Sequence, residues 1–134
     1  MGTSHVTLHE ATVLTVGEVM ISRPKTLPLT ATVAEARRMF ENPSVRTALV
    51  VDDGGRYAGE LTRADVDGRD DADLLTAIAS TATGTVAQTA TVAAALERMD
   101  AAGTDRLAVV EPDGTLRGLV CLSRSHGHLC TDPR

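Results

Sequence analysis

Displaced by fifty-nine positions, the chain aligns with itself without a gap, residues 26–59 falling on residues 85–118. Thr30-Ala31-Thr32-Val33-Ala34 meets Thr89-Ala90-Thr91-Val92-Ala93, Ala36 meets Ala95, and Val50-Val51 meets Val109-Val110. Gly55 falls on Gly114, Gly59 on Gly118 and Thr26 on Thr85, which makes eleven identities in thirty-four positions. An Ala-, Thr- and Val-rich composition produces some matches, but not turn glycines in the same register. The chain is a duplication, and one copy fixes the expected layout of the other.

That layout mixes helix and strand. An extended stretch (residues 25–29 and 84–88) precedes a helix opened by Thr32, and Glu35 three residues on completes a capping box. Val33, Ala36, Met39 and Phe40 share the apolar face of this helix. Copy two keeps Thr91, Val92, Ala95 and Met99, but Ala94 stands where the capping glutamate would be. Two β-branched runs follow, joined through Asp53-Gly54-Gly55 in one copy and Pro112-Asp113-Gly114 in the other, a strong hairpin signal. After copy one the chain turns acidic from Asp65 to Asp73, then apolar at Leu74, Leu75 and Ile78, the pattern of a second helix.

The expected fold is therefore α+β, two tandem β-α-β-β-α repeats packed sheet on sheet about a pseudo-twofold axis. Such an axis makes two equivalent clefts, and small ligands favour clefts between repeats. The predicted divisions are an N-terminal extension over 1–15, repeat one over 16–80, repeat two over 81–124 and a tail over 125–134.

Composition narrows function by exclusion. With one Phe, one Tyr and no Trp, the core falls to Val, Leu, Ala and Met, and no set of rings is available for stacking bases. Thirteen basic against eighteen acidic residues give a net charge of −5, whereas a duplex binder needs a positive face. Nucleic acid is not an expected partner. No apolar run is long enough to span a bilayer, the first residues lack the layout of a signal peptide, and two cysteines are too few for a disulfide scaffold. The expectation is a cytoplasmic protein with no membrane partner. No nucleophile elbow, Walker loop or dinucleotide fingerprint occurs, so no enzyme activity and no required cofactor are expected.

The order and spacing of several short motifs resemble a cystathionine-β-synthase (CBS) domain pair, or Bateman module. Val16-Gly17-Glu18-Val19-Met20 followed by Lys25-Thr26-Leu27 is similar to the family's opening helix and first strand. Leu49-Val50-Val51-Asp52 stands where the family often has Pro-Val-Val-Asp. Gly59-Glu60-Leu61-Thr62-Arg63-Ala64-Asp65 resembles its closing signature, and the likeness runs over roughly residues 16 to 124.

The resemblance implies a non-catalytic module that binds an adenosyl nucleotide: AMP, ADP, ATP or S-adenosylmethionine. It implies that Asp65 accepts hydrogen bonds from the ribose hydroxyls, while Thr62 and Arg46 face the phosphate. Arg63, Leu49, Val50, Lys25 and Thr26 are the remaining candidates around the ligand. The chemistry is sound, since a carboxylate accepts from a vicinal diol while a hydroxyl and a guanidinium donate to phosphate oxygens. Copy two departs at each position, with Asp105 for Arg46, Cys121 for Thr62 and Arg124 for Asp65. One competent site, built around copy one, is expected.

Plainer roles stand beside these. Thr62 can cap the following helix with Asp65 in its first turn, Arg46 can be a loop charge, and the aspartates from Asp65 to Asp73 can be a solvated linker rather than a calcium loop. Cys121, His126, His128 and Cys130 form a complete zinc donor set on paper, though packed more tightly than usual finger spacing. The alternative is a buried Cys121 thiol and a loosely ordered tail, a disulfide being disfavoured in a reducing compartment. The functional expectation is a stand-alone sensor of an adenosyl ligand that signals to an effector protein or to its own homodimer. The dimer is inferred from apolar helix faces around Val33, Phe40 and Leu74 to Ile78. A ligand-free structural dimerisation module and a metal- or redox-responsive protein are the alternatives.

Overall fold

The computed structural model describes residues 6–7, 13–43, 45–80, 84–122 and 128–130. Two compact units emerge: one contiguous, Lys25–Ala82, the other gathered from Met1–Pro24 and Thr83–Arg134.

In the contiguous unit, strand β2 (Thr26–Pro28) pairs parallel with β3 (Thr47–Val51), which pairs antiparallel with β4 (Tyr57–Thr62). Helix α2 (Val33–Phe40) links β2 to β3, and the short helix α3 (Arg63–Val66) follows β4 directly. The capping box read from the sequence is present: Thr32 N–H donates to Glu35 Oε2 at 3.0 Å and Glu35 N–H donates to Thr32 Oγ1 at 3.4 Å. Val33, Ala36 and Phe40 bury against Ala48, Val50, Leu61, Val66 and Leu75.

The other unit repeats this plan. Strand β5 (Thr85–Val86) pairs parallel with β6 (Arg106–Val110), β6 pairs antiparallel with β7 (Leu116–Cys121), and α4 (Val92–Ala102) bridges β5 and β6. Val92, Ala95 and Met99 bury where Val33, Ala36 and Phe40 do in the first copy. Lacking a capping glutamate, α4 retains half the box, with Ala94 N–H donating to Thr91 Oγ1 at 3.1 Å.

Both hairpins break register at the same place, between Val50 and Val51 and between Val109 and Val110. An extra residue, Ala58 or Arg117, bulges out just before Gly59 or Gly118. At the turns, Gly55 and Gly114 take φ of 81° and 94°, a region costly for residues with a Cβ.

Each sheet is completed by a segment that the identities did not reveal. A 3-10 turn, Leu75–Ala77, lies against the first sheet, with Leu75 N–H donating to Ala31 O and Glu60 and Ser80 exchanging backbone bonds. Fifty-nine positions earlier, helix α1 (Val16–Val19) does the same for the second sheet: Val16 N–H donates to Ala90 O, and Ile21 and Leu119 exchange backbone bonds. The same segments satisfy the first amides of the long helices, Val33 N–H donating to Asp73 O and Val92 N–H to Leu14 O. The helix expected at Leu74 to Ile78 is thus a single 3-10 turn, held by edge pairing rather than by its own ladder.

Two other expectations need correction. The tail is not loose where it is described: β8 (His128–Leu129) pairs antiparallel with β1 (Val6–Thr7), and Leu129 is buried in the second unit's core. Nor is Cys121 a free thiol, for it is buried and disulfide-bonded to Cys130, their Cα atoms 5.4 Å apart. The return of β8 brings the two within bridging range. Of the apolar faces offered as grounds for a dimer, Val33, Phe40 and Leu75 are buried inside the contiguous unit and Ile78 partly so, while Leu74 stays 48% exposed.

Two carboxylates, Asp52 in a turn and Glu18 in the capping box of α1, give the fold a predictable response to acid. Asp52 Oδ1 accepts from Arg56 N–H and Gly54 N–H, and these bonds, chiefly the first, hold its pKa below the ordinary range. Glu18 is lowered likewise by the Thr15 backbone N–H and hydroxyl at 2.8 and 2.9 Å. Since the folded values lie below the unfolded ones, the stabilisation is present above the ordinary carboxylate range. It is lost as pH falls through the lowered values. Acid denaturation should therefore be less steep for the Glu18→Gln/Asp52→Asn double variant than for the wild type between about pH 5 and 3. Superimposable curves would contradict the assignment.

Candidate functional site

The candidate residues of copy one all lie in the contiguous unit, at the end of the sheet where β3 begins and β4 ends. Strand alternation sends Ala48, Val50 and Leu61 into the helix-packed core, and so places Thr47, Leu49, Glu60 and Thr62 on the opposite face. Thr47 is paired with Thr62 across the ladder, Leu49 with Glu60, and Thr26 with Leu49 on the other side. Lys25 contributes its carbonyl to Leu49 N–H at 2.9 Å, and its exposed side chain belongs to the rim. Leu49 and Val50 are both buried, but only Val50 belongs to the helix-side core.

Thr62 and Asp65 hold each other. The Thr62 N–H and hydroxyl donate to Asp65 Oδ2 at 2.7 and 3.1 Å, a capping box across the β4–α3 junction. The capping role is therefore real. Because both bonds fall on one oxygen, the carboxylate keeps acceptor capacity on Oδ1.

Arg63 is engaged within the contiguous unit. Its guanidinium donates to the carbonyls of Phe40, Asn42 and Val45, with the cation 5.4 Å from the Phe40 ring centre. Arg63 thereby ties the end of α2 to the approach of β3, which carries half-buried Arg46. Thr47 was missed from sequence. Its hydroxyl oxygen is buried and has no hydrogen-bond partner among the described residues. The only signal was register: a threonine two places before Leu49, facing the same side.

Copy two presents other chemistry at the matching places. Asp105 accepts an ion-paired bond from Arg106 Nη1 at 2.8 Å, and Cys121 is consumed in the disulfide. Arg124 and His126 lie outside the described residues, as does the side chain of His128. Disulfide formation removes both thiolates from the zinc donor set, and among the described residues no three His, Cys, Asp or Glu groups gather as a metal site. The aspartate stretch is a structural linker: Asp71 pairs with Arg37, whose guanidinium also donates to the Val66 and Arg69 carbonyls.

An open depression of ≈ 410 Å³ lies elsewhere on the contiguous unit, lined by Leu29, Asp52, Asp53, Arg56 and Thr76 among others. None of the candidate residues borders it, and the Asp52 carboxylate there is engaged by its own turn.

Two duplicated α+β units, each a three-stranded sheet backed by one long helix, define a tandem-repeat module without a catalytic constellation on the described surface. The chain belongs to the CBS-domain family, whose model matches residues 16–68 and 72–124. As a CBS-domain pair it is a regulatory, non-catalytic module. Among solved structures, it is similar to the CBS pair of a magnesium transporter homologue from Shewanella oneidensis MR-1, with 24% identity and a TM-score of 0.73. That match covers 84% of this chain and 67% of the other. The cytosolic domain of the magnesium channel MgtE in complex with ATP matches at 23% identity and a TM-score of 0.72, over 80% of this chain and 45% of that one. A CBS pair solved with 5′-methylthioadenosine and S-adenosyl-L-methionine matches at 17% identity and 0.70, over 81% and 90%. No match was found among curated proteins. Among the described residues, no helix is long and apolar enough to cross a membrane.

Proposed function

We propose that this chain is a cytoplasmic sensor that binds an adenosyl nucleotide at copy one and passes its occupancy to an effector protein or a second copy of itself. The observation that carries the reading is the Thr47 hydroxyl, buried without a hydrogen-bond partner among the described residues and directly across the ladder from Thr62. A buried donor without a partner is costly, and a phosphate or hydroxyl oxygen of a ligand would satisfy it. Asp65, oriented by its capping box, would accept from the ribose diol through Oδ1, and Arg46 would supply the cation for phosphate. The ATP-bound and S-adenosylmethionine-bound CBS structures support this ligand class. Signalling requires two arrangements of the module that bind the ligand unequally.

Calorimetric titration with AMP, ADP, ATP and S-adenosylmethionine tests the proposal. One site per chain is expected. Asp65→Asn, which keeps the shape of the cap, should weaken binding at least tenfold, about 1.4 kcal/mol. Thr47→Val should weaken it several-fold without lowering the melting temperature of the free chain. Two equal sites, or affinity unchanged in Asp65→Asn, would sink the reading.

A further inference from the structure

The Cys121–Cys130 bridge closes a short loop, nine residues apart in sequence, at the end of β7. Cys121 is 5% exposed, whereas Cys130 is only half-buried. Beyond the bridge, β8 is held by Cys130 N–H donating to Cys121 O at 2.8 Å, by the Leu122–Leu129 pairing and by the Leu129 side chain. Strand β1 in turn has β8 as its strand partner. One covalent bond thus secures a two-stranded ribbon of two residues a side, which is marginal by itself.

We propose that Cys121–Cys130 is a thiol–disulfide exchange site, with a dithiol reductant as its substrate, whose state decides whether the β1–β8 ribbon is locked to the second unit. A structural staple would be expected to close a long loop and hold up the whole core. This bridge closes a short one, and most of the core it adjoins (Val16, Val92, Met99, Leu107 and Val109) lies on other elements. The exchange begins at the less buried cysteine. A reductant thiolate attacks Cys130 Sγ, forming a mixed disulfide and breaking the bond to Cys121, which leaves with the electron pair and takes a proton. Arg106 stands across the ladder from Cys121, its guanidinium paired with Asp105. The second thiol of the reductant then attacks the mixed disulfide, releasing Cys130 as a thiol and departing as a disulfide. Two electrons and two protons have passed to the protein.

The test uses the full chain, air-oxidised and then treated with dithiothreitol. Alkylation followed by intact mass should count no reactive thiols before treatment and two after it. Hydrogen exchange at Val6, Thr7, Leu129 and Cys130 should accelerate at least tenfold, while the amides of β6 and β7 keep their protection. The melting temperature should fall by about 5–10 °C. Reoxidation should restore all three readouts, and Cys130→Ser should show the reduced pattern and ignore the reductant. Should that variant fail to fold, the reduction series on the wild type decides alone. Two free thiols in the air-oxidised chain, global loss of protection on reduction, or an unchanged ribbon would each overturn the proposal.

Discussion

Gly118→Ala is expected to destabilise the protein by about 3 kcal/mol, a large share of the roughly 5–15 kcal/mol that holds a domain together. A Cβ at this position would stand 2.5 Å from Ile21 O and 2.8 Å from Met20 Sδ. The sulfur could swing away, but the carbonyl could not. Ile21 and Leu119 exchange backbone bonds of 2.7 and 2.9 Å beside it, so relief means breaking an edge pair that completes the second sheet. Gly54→Ala is the control, since its added carbon would meet only Asp52 Oδ1, at 3.5 Å. That change should stay within about 0.5 kcal/mol of wild type. Chemical denaturation separates the two, and a Gly118→Ala protein within 1 kcal/mol of wild type would refute the close approach.

Leu75→Ala should cost about 3 kcal/mol, within the range of leucine truncations that leave cavities in a core. Leu75 is fully buried against the α2 side of the first sheet, while its neighbour Leu74 is 48% exposed. Leu74→Ala should therefore change stability by less than about 0.5 kcal/mol. Equal effects would mean that this stretch is a solvated connector and not part of the first unit's core.

These two positions show where sequence reading succeeds and where it stops. Residues 26–59 and 85–118 repeat visibly because hairpin glycines and helix-opening threonines have few substitutes. Residues 14–21 and 73–80 share their main backbone bonds to the sheet and to the long helix, yet Val16 and Leu75, or Ile21 and Ser80, share no identity. Those segments are held by backbone pairing, which nearly any residue can supply. Site chemistry divides in the same way. Thr62 and Asp65 were legible from their spacing, but that Thr62 donates both its bonds to Asp65 is a matter of rotamer. Arg63 was read as a ligand neighbour because it sits in the motif, and sequence did not show that its length lets it reach three carbonyls at the end of α2 and in the turn after it, some twenty residues earlier. The disulfide was disfavoured on the expectation of a reducing compartment, and the strand that brings Cys130 back to Cys121, the two-residue β8, carries almost no periodic signal to argue the other way.

The interleaving of the two units bears on the order in which they form. One is contiguous over Lys25–Ala82, so all its partners are close along the chain and it can assemble as soon as that stretch leaves the ribosome. The other needs α1, synthesised early, to meet β7, synthesised about a hundred residues later. During that interval Val16 and Val19, both bound for a core, have no sheet to cover them. The early segment must wait, and the half of the protein that carries the disulfide is the half that forms last.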